Sequence, residues 1–60
     1  MTIYEIVQDA LWNAYFNGYK EETDSYSDEY LAYDMIDAGV FEENVDITTV
    51  INAIKEFRNV

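Results

Sequence analysis

The chain has 60 residues, contains no cysteine, histidine or proline, and carries a formal net charge of −10. A chain this short forms one domain at most and buries only ~60% of the surface that its unfolded state exposes. Without Cys or His, neither a disulfide nor a common zinc site can stabilise it, and Ser–His and Cys–His catalytic arrangements are excluded. Half of the residues are hydrophobic and 17% are aromatic, which favours a folded domain over a disordered acidic tail.

The net charge and the N-terminal sequence further narrow the class of protein to which this chain can belong. A sequence pI near 4.1 predicts repulsion from nucleic acid and from anionic membranes, and attraction to basic protein surfaces or cations. No apolar run is long enough to span a bilayer. The first ten residues lack the basic and continuous apolar regions of a signal peptide. We therefore expect one cytoplasmic domain over residues 1–60. The initial Met and the absence of a tag or linker suggest a complete small open reading frame.

The first segment predicts a helix over residues 3–17. Thr2 and Glu5 fit a capping box with Thr2 as the N-cap, and Gly18 with Lys20 fits a helix C-terminus. Between them, apolar residues recur at helical spacing and form one stripe, namely Ile3, Ile6, Val7, Ala10, Leu11 and Ala14.

A polar connection from Tyr19 to Ser27 precedes the second predicted helix, which we place at residues 27–38. Ser25 or Ser27 can act as the N-cap, and Gly39 ends the helix, followed by Val40 or Phe41 as an apolar contact. The residues expected to face inward are Leu31, Ala32, Met35, Ile36 and Ala38. Those expected to face outward are Glu29, Tyr30, Tyr33, Asp34 and Asp37.

After a second acidic connection, Asp46 is a good N-cap for a third helix at residues 47–57. Its β-branched start could indicate a strand, but the apolar spacing is helical. Lys55 and Arg58 lie near its C-terminus, where cations are favoured. Three amphipathic helices with short connections predict an all-α fold, a compact three-helix bundle that is monomeric or homodimeric. The alternative is a two-helix hairpin with the third helix packed across it.

The acidic middle of the chain is the feature that points to a partner. Between Glu21 and Ile54 there are ten acidic residues and no Lys or Arg, so ordinary nucleic-acid binding is excluded. Acids four apart on a helix are separated by ~6 Å along the axis, and a DNA strand carries a charge about every 3.4 Å. Carboxylates of a helix and its flanking loops could therefore approximate a phosphate track, with tyrosines as contact area. The predicted face consists of Glu21, Glu22, Asp24, Asp28, Glu29, Tyr30, Tyr33, Asp34, Asp37, Glu42 and Glu43.

In length, acidity and aromatic content the chain resembles the small phage-encoded inhibitor proteins that imitate DNA. The resemblance implies a partner with a basic, nucleic-acid-binding surface, which the acidic protein would inhibit or modulate. It implies no direct contact with nucleic acid or membrane. It rests on overall composition and assigns no residue roles.

The acids also have simpler interpretations. Acidic helix faces are usually solvated, and Glu5, Asp28, Glu29 and Asp46 sit where acids are routine at helix N-termini. This does not explain why compensating bases are so few, because self-repulsion of this size destabilises a small fold. Solubility or a salt-rich habitat remains the competing explanation.

Enzymatic and metal chemistry find little support in the sequence. Paired carboxylates could act as acid and base, but so small a domain offers no enclosed pocket, so we predict no enzyme activity and no cofactor. Asp24, Tyr26, Asp28 and Tyr30 alternate somewhat as an EF-hand loop does, yet the central Gly and further ligand acids are missing. We predict no metal site.

A second contact surface is suggested by Trp12 and Phe16. They are four residues apart on the first helix, roughly opposite its aliphatic stripe. If exposed, they would anchor a hydrophobic interface, making the protein a small adaptor or homo-oligomerisation module. If helix 1 is instead the central element, Trp12 would seal the core. The remaining tyrosines are expected at the edge of the core with solvated hydroxyls.

Overall fold

The computed structural model describes residues 1–59 and contains four helices within them: α1 (Ile3–Phe16), α2 (Lys20–Ser25), α3 (Asp28–Asp37) and α4 (Ile47–Arg58). The all-α prediction is confirmed, and the three longer helices agree with the predicted ranges to within one residue at each end. The sequence analysis missed α2, which occupies most of the connection from Tyr19 to Ser27. Within residues 1–59 the fold therefore has one helix more than the predicted three-helix bundle.

The predicted N-caps form with the expected hydrogen bonds. At the start of α1 the backbone N–H of Glu5 donates to Thr2 Oγ1 (3.1 Å), and the Thr2 N–H donates to Glu5 Oε1 (3.2 Å). The Ser27 hydroxyl accepts from the N–H of Tyr30 at 3.1 Å, so α3 starts after the second of the two candidate serines. Asp46 Oδ1 accepts from the N–H of Thr48 at 3.0 Å and starts α4. These caps satisfy N–H groups that a helix terminus otherwise leaves unpaired.

Two glycines end α1 and α3 in the same way. Gly18 has φ +89° and Gly39 has φ +75°, the left-handed region that other residues rarely adopt. In each case the N–H two residues beyond the C-cap returns to the last turn: Tyr19 to the Ala14 carbonyl (3.0 Å) and Val40 to the Met35 carbonyl (3.2 Å). This is the Schellman arrangement, and it turns the chain sharply enough for short connections.

Helix α4 is the central element of the fold. It packs against both α1 and α3, and α2 packs against α1. Within residues 1–59, direct packing between α1 and α3 is much sparser. The buried core reflects this order, since it draws residues from all three longer helices: Val7, Leu11, Leu31, Ala32, Met35, Val50, Ala53 and Ile54.

Two inward assignments on α3 were wrong. Leu31, Ala32 and Met35 are buried as expected, but Ile36 is 37% exposed and Ala38 is exposed. The physical reason is that α3 has one main neighbour, α4, so only a narrow stripe of its surface is covered. Ile36 lies beyond that stripe, and Ala38 borders a groove between α3 and α1.

Candidate functional site

The acidic and aromatic side of α3 faces solvent as predicted. Tyr30 and Tyr33 are 52% and 64% exposed, and Glu29, Asp34 and Asp37 are exposed with them. At 3.6 residues per turn these five positions fall within roughly 140° of the helix circumference. They therefore lie on one side of α3. Four of them, with Ile36, border a single shallow cleft.

Tyr26 connects this side of α3 to α2. Its ring stacks on that of Tyr30 with the centroids 4.4 Å apart, and its hydroxyl donates to Glu22 Oε1 at 2.9 Å. The hydrogen bond with Glu22 raises the pKa of Tyr26, because ionising the hydroxyl would break it and bring two negative charges together. Glu22 is thus held beside the α3 face through an aromatic contact.

Asp24 is directed towards α1. Its carboxylate accepts from Lys20 Nζ at 2.7 Å and from the Tyr15 hydroxyl at 2.9 Å. The hydrogen bond from Lys20, followed by that from Tyr15, lowers the pKa of Asp24. The pKa of Tyr15 is raised, first by its burial and then by the hydrogen bond to Asp24. Asp24 therefore serves the packing of α2 on α1 more than the predicted face.

Asp28 is neutralised by the C-terminal end of α4. Arg58 Nη1 lies 2.7 Å from Asp28 Oδ1, with both side chains less than one quarter exposed. Arg58 Nη2 donates to the backbone carbonyls of Thr23 (2.9 Å) and Tyr26 (2.8 Å). The guanidinium thus fastens α4 to the connection between α2 and α3. From local pattern alone, Arg58 was assigned only to the dipole at the C-terminus of its helix, because a contact between residues 30 apart leaves no local signal.

The remaining predicted acids lie elsewhere on the surface. Glu21 is exposed in the first turn of α2. Glu42 and Glu43, in the connection before α4, border a groove beside α1 together with Asp9. The predicted set therefore divides into the α3 side with Glu22, two acids held in ion pairs, two acids of the groove, and Glu21 on the exposed surface of α2.

The aromatic pair on α1 is exposed and is not a seal over the core. Trp12 is 45% exposed and Phe16 is 84% exposed, with their rings stacked at a centroid distance of 5.8 Å. Trp12 also makes edge contacts with Tyr15 and Phe57, each at 5.7 Å. Trp12 therefore does not seal the core, and the interpretation of α1 as the central helix is wrong, because α4 packs against both α1 and α3.

Two grooves along α1 were not predicted from the sequence. The larger, of about 830 Å³, lies between the N-terminal half of α1 and residues 40–45. The smaller, of about 390 Å³, lies between α1, α2 and α3. To predict such grooves, one must know which helices do not pack against each other. Helical periodicity in the sequence does not give this information.

Metal binding, membrane insertion and similarity to known proteins also bear on the function of the chain. In residues 1–59, no three Asp or Glu side chains are grouped so as to hold a metal ion. None of the helices in this range has the length and apolar character needed to cross a membrane. In comparisons with known proteins, no family model, curated protein or solved structure matches the chain. Its function is therefore inferred from its own residues.

Proposed function

We propose that this protein is a non-enzymatic binding protein of the cytoplasm that docks the acidic, tyrosine-containing side of α3 onto a basic surface of a partner protein. The partner surface is one that normally binds nucleic acid, and docking inhibits or modulates it in the manner of a DNA mimic. The observation that carries the proposal is the exposed side of α3 and its lack of compensating cations. Of the ten acids between Glu21 and Asp46, only Asp24 and Asp28 form ion pairs in the described part of the chain.

The charge distribution supports the proposal through association kinetics and through contact area. A concentrated negative surface accelerates encounter with a basic groove, and the attraction between the two weakens as the salt concentration rises. Tyr30 and Tyr33 supply planar side chains that bury large areas with few rotatable bonds, as is common at interfaces. Asp34 and Asp37 lie one turn apart on the same side of α3 and supply negative charge beside the two tyrosines.

The test begins with capture of partners from a lysate of the source organism at low and at high salt, with identification by mass spectrometry. We expect capture only at low salt, release by duplex DNA, and loss of binding for the double reversal Asp34→Lys/Asp37→Lys while circular dichroism stays unchanged. Asp37→Lys has a matched control in Glu56→Lys, because both residues are exposed acids in the last turns of their helices. The proposal is refuted if the double reversal binds as tightly as the parent.

A second candidate function rests on the exposure of Phe16 and Trp12. A small helical adaptor, or a homodimer pairing these rings across a two-fold axis, would cover aromatic area that α1 leaves in solvent. Here Trp12→Ala should lower the association state, and added salt should have little effect. Sedimentation at several concentrations separates the candidates, since a strictly monomeric particle rules out the homodimer.

A further inference from the structure

The two grooves beside α1 are adjacent, and we call them together the trough. Both are bordered by Ala10, Asn13 and Val40, so they meet at the middle of the helix. The border on α1 extends from Ile3 to Ala14, which corresponds to ~16 Å along the helix axis. The opposite side is formed by α3 and by residues 40–45. The trough exists because α1 and α3 both pack on α4 and leave a gap between themselves.

The floor of the trough is apolar and incompletely covered. The aliphatic stripe of α1 is wider than the surface that α4 covers, so Val7 and Leu11 are buried while Ile6 and Ala10 remain partly exposed. Ile6 borders the trough and is not among the side chains packed against the core. Within residues 1–59, Ile6 is therefore an aliphatic side chain that the fold itself covers only in part.

The rim of the trough is predominantly negative, and the cation at its border is the α-amino group of Met1, at the end beside the start of α1. Its ionisable carboxylates are Asp9, Glu42 and Glu43 at one end and Glu22 and Asp34 at the other. Among the described residues, no Lys or Arg borders either part. A second copy of this chain, with its net charge of −10, would be repelled, whereas a cationic molecule with an apolar side complements both features.

From this geometry we infer that the trough is a docking site for an amphipathic helix of the partner protein, with an aliphatic stripe on one side and Lys or Arg along both edges. A helix satisfies its own backbone hydrogen bonds, whereas an extended peptide would find no sheet edge here to pair with. Three helical turns span ~16 Å, the length of the trough. The inference rests on the proposed function for the positive charge of the partner, and it adds a hydrophobic anchor.

The test uses a synthetic probe in place of the partner. The probe is an acetylated, amidated leucine–lysine peptide of about fourteen residues with leucine at i, i+3, i+4 and i+7 spacing. One control peptide has the same composition shuffled to strict alternation, and another is polylysine of the same length. Affinity is measured by calorimetry at roughly 150 mM and roughly 500 mM salt, so that unspecific charge attraction is screened in the second condition. We expect the amphipathic peptide to bind at least about tenfold more tightly than either control at high salt.

Variants of the protein locate the binding site. Asn13→Lys places a positive charge at the middle of the trough, and Asn52→Lys makes the same change on α4 away from both grooves; both residues are exposed, so the fold should persist. We expect Asn13→Lys to weaken the amphipathic peptide about tenfold and Asn52→Lys to weaken it less than about twofold. Ile6→Gln should weaken it more than Ile36→Gln, which alters an exposed isoleucine outside the trough.

The results separate this inference from the proposed function. Equal binding of polylysine and the amphipathic peptide overturns the trough and leaves docking by charge intact. Equal effects of Asn13→Lys and Asn52→Lys, or a larger effect of Ile36→Gln than of Ile6→Gln, also overturn it. Asp37 borders the cleft on α3 and neither groove of the trough, so retention of the captured partner by Asp37→Lys counts against the proposed α3 face without bearing on the peptide result for the trough.

Discussion

Replacing Arg58 by alanine removes the side chain that fastens α4 to the connection between α2 and α3. The guanidinium makes one ion pair and two hydrogen bonds to backbone carbonyls, all between 2.7 and 2.9 Å. The substitution leaves Asp28 with its charge in a site that is only partly open to water, and leaves the carbonyls of Thr23 and Tyr26 to be solvated instead. We expect a clear loss of stability with little change in helix content at low denaturant.

The size of the effect follows from the contacts and their exposure. A hydrogen bond to a charged group contributes ~1.5–3 kcal/mol, and removing one partner of a buried ion pair costs about 3–5 kcal/mol. The side chains of Arg58 and Asp28 are 23% and 22% exposed, so solvent screening reduces these values. We expect a total loss of about 2–3 kcal/mol. A domain of this length has an unfolding free energy of roughly 3–9 kcal/mol, so the loss is a large part of the whole.

Urea unfolding followed by circular dichroism measures the effect. With a slope of about 1 kcal/mol/M, the midpoint of Arg58→Ala should fall by about 2–3 M. Arg58→Lys should lie between variant and parent, because one ammonium cannot reproduce the fork that reaches three oxygens. Lys55→Ala is the matched control, since it removes the same charge from an exposed position one turn earlier. A midpoint for Arg58→Ala no lower than that for Lys55→Ala would refute the reasoning.

Three further outcomes are expected. Thr2→Ala removes the N-cap hydroxyl of α1 and should lower the unfolding free energy by ~1 kcal/mol in urea unfolding; an unchanged midpoint would contradict the role of the capping box. Leu11→Ala opens a cavity in the core and should lower the unfolding free energy by ~2–5 kcal/mol. A loss of this size is enough for a fraction of the molecules to be unfolded without denaturant. The lowered pKa of Asp24 stabilises the fold above the ordinary value of 3.8, and this contribution is lost as the pH falls through the lowered folded-state value. Asp24→Asn should therefore reduce the difference in urea midpoint between about pH 6 and about pH 3, whereas an identical pH dependence would show that the Lys20–Asp24 pair contributes nothing.

Local signals in the sequence were sufficient for the longer helices. Thr2, Ser27 and Asp46 each have side chains that can accept a backbone N–H, and each starts a helix where periodicity requires one. Helix α2 lacks such a signal. Its six residues show no apolar period, and only Thr23 is buried, so the helix depends on packing against α1. A tertiary contact of this kind is invisible to a scan along the chain.

The candidate site was predictable only to the level of a helix face. The outward side of α3 follows from the spacing of its apolar residues, and the exposure of Tyr30 and Tyr33 agrees with it. The partners of Asp24 and Asp28 could not be predicted, because Lys20 was assigned to the dipole of α1 and Arg58 to that of α4. Which carboxylate or carbonyl the end of a long Lys or Arg side chain reaches depends on the distances between helices. These are set by the packing of α4 and not by local sequence.

The central position of α4 has a consequence for how the chain folds during synthesis. The helix that both α1 and α3 require as a neighbour follows them in the sequence, so residues 1–45 are synthesised before the helix that covers their apolar stripes. Contacts between α1 and α4 close a loop of about forty residues, so they are non-local contacts whose loop-closure entropy must be overcome before packing stabilises the fold. Tertiary structure should therefore form only after translation has passed α4, and until then the nascent segment relies on its dense negative charge to avoid association.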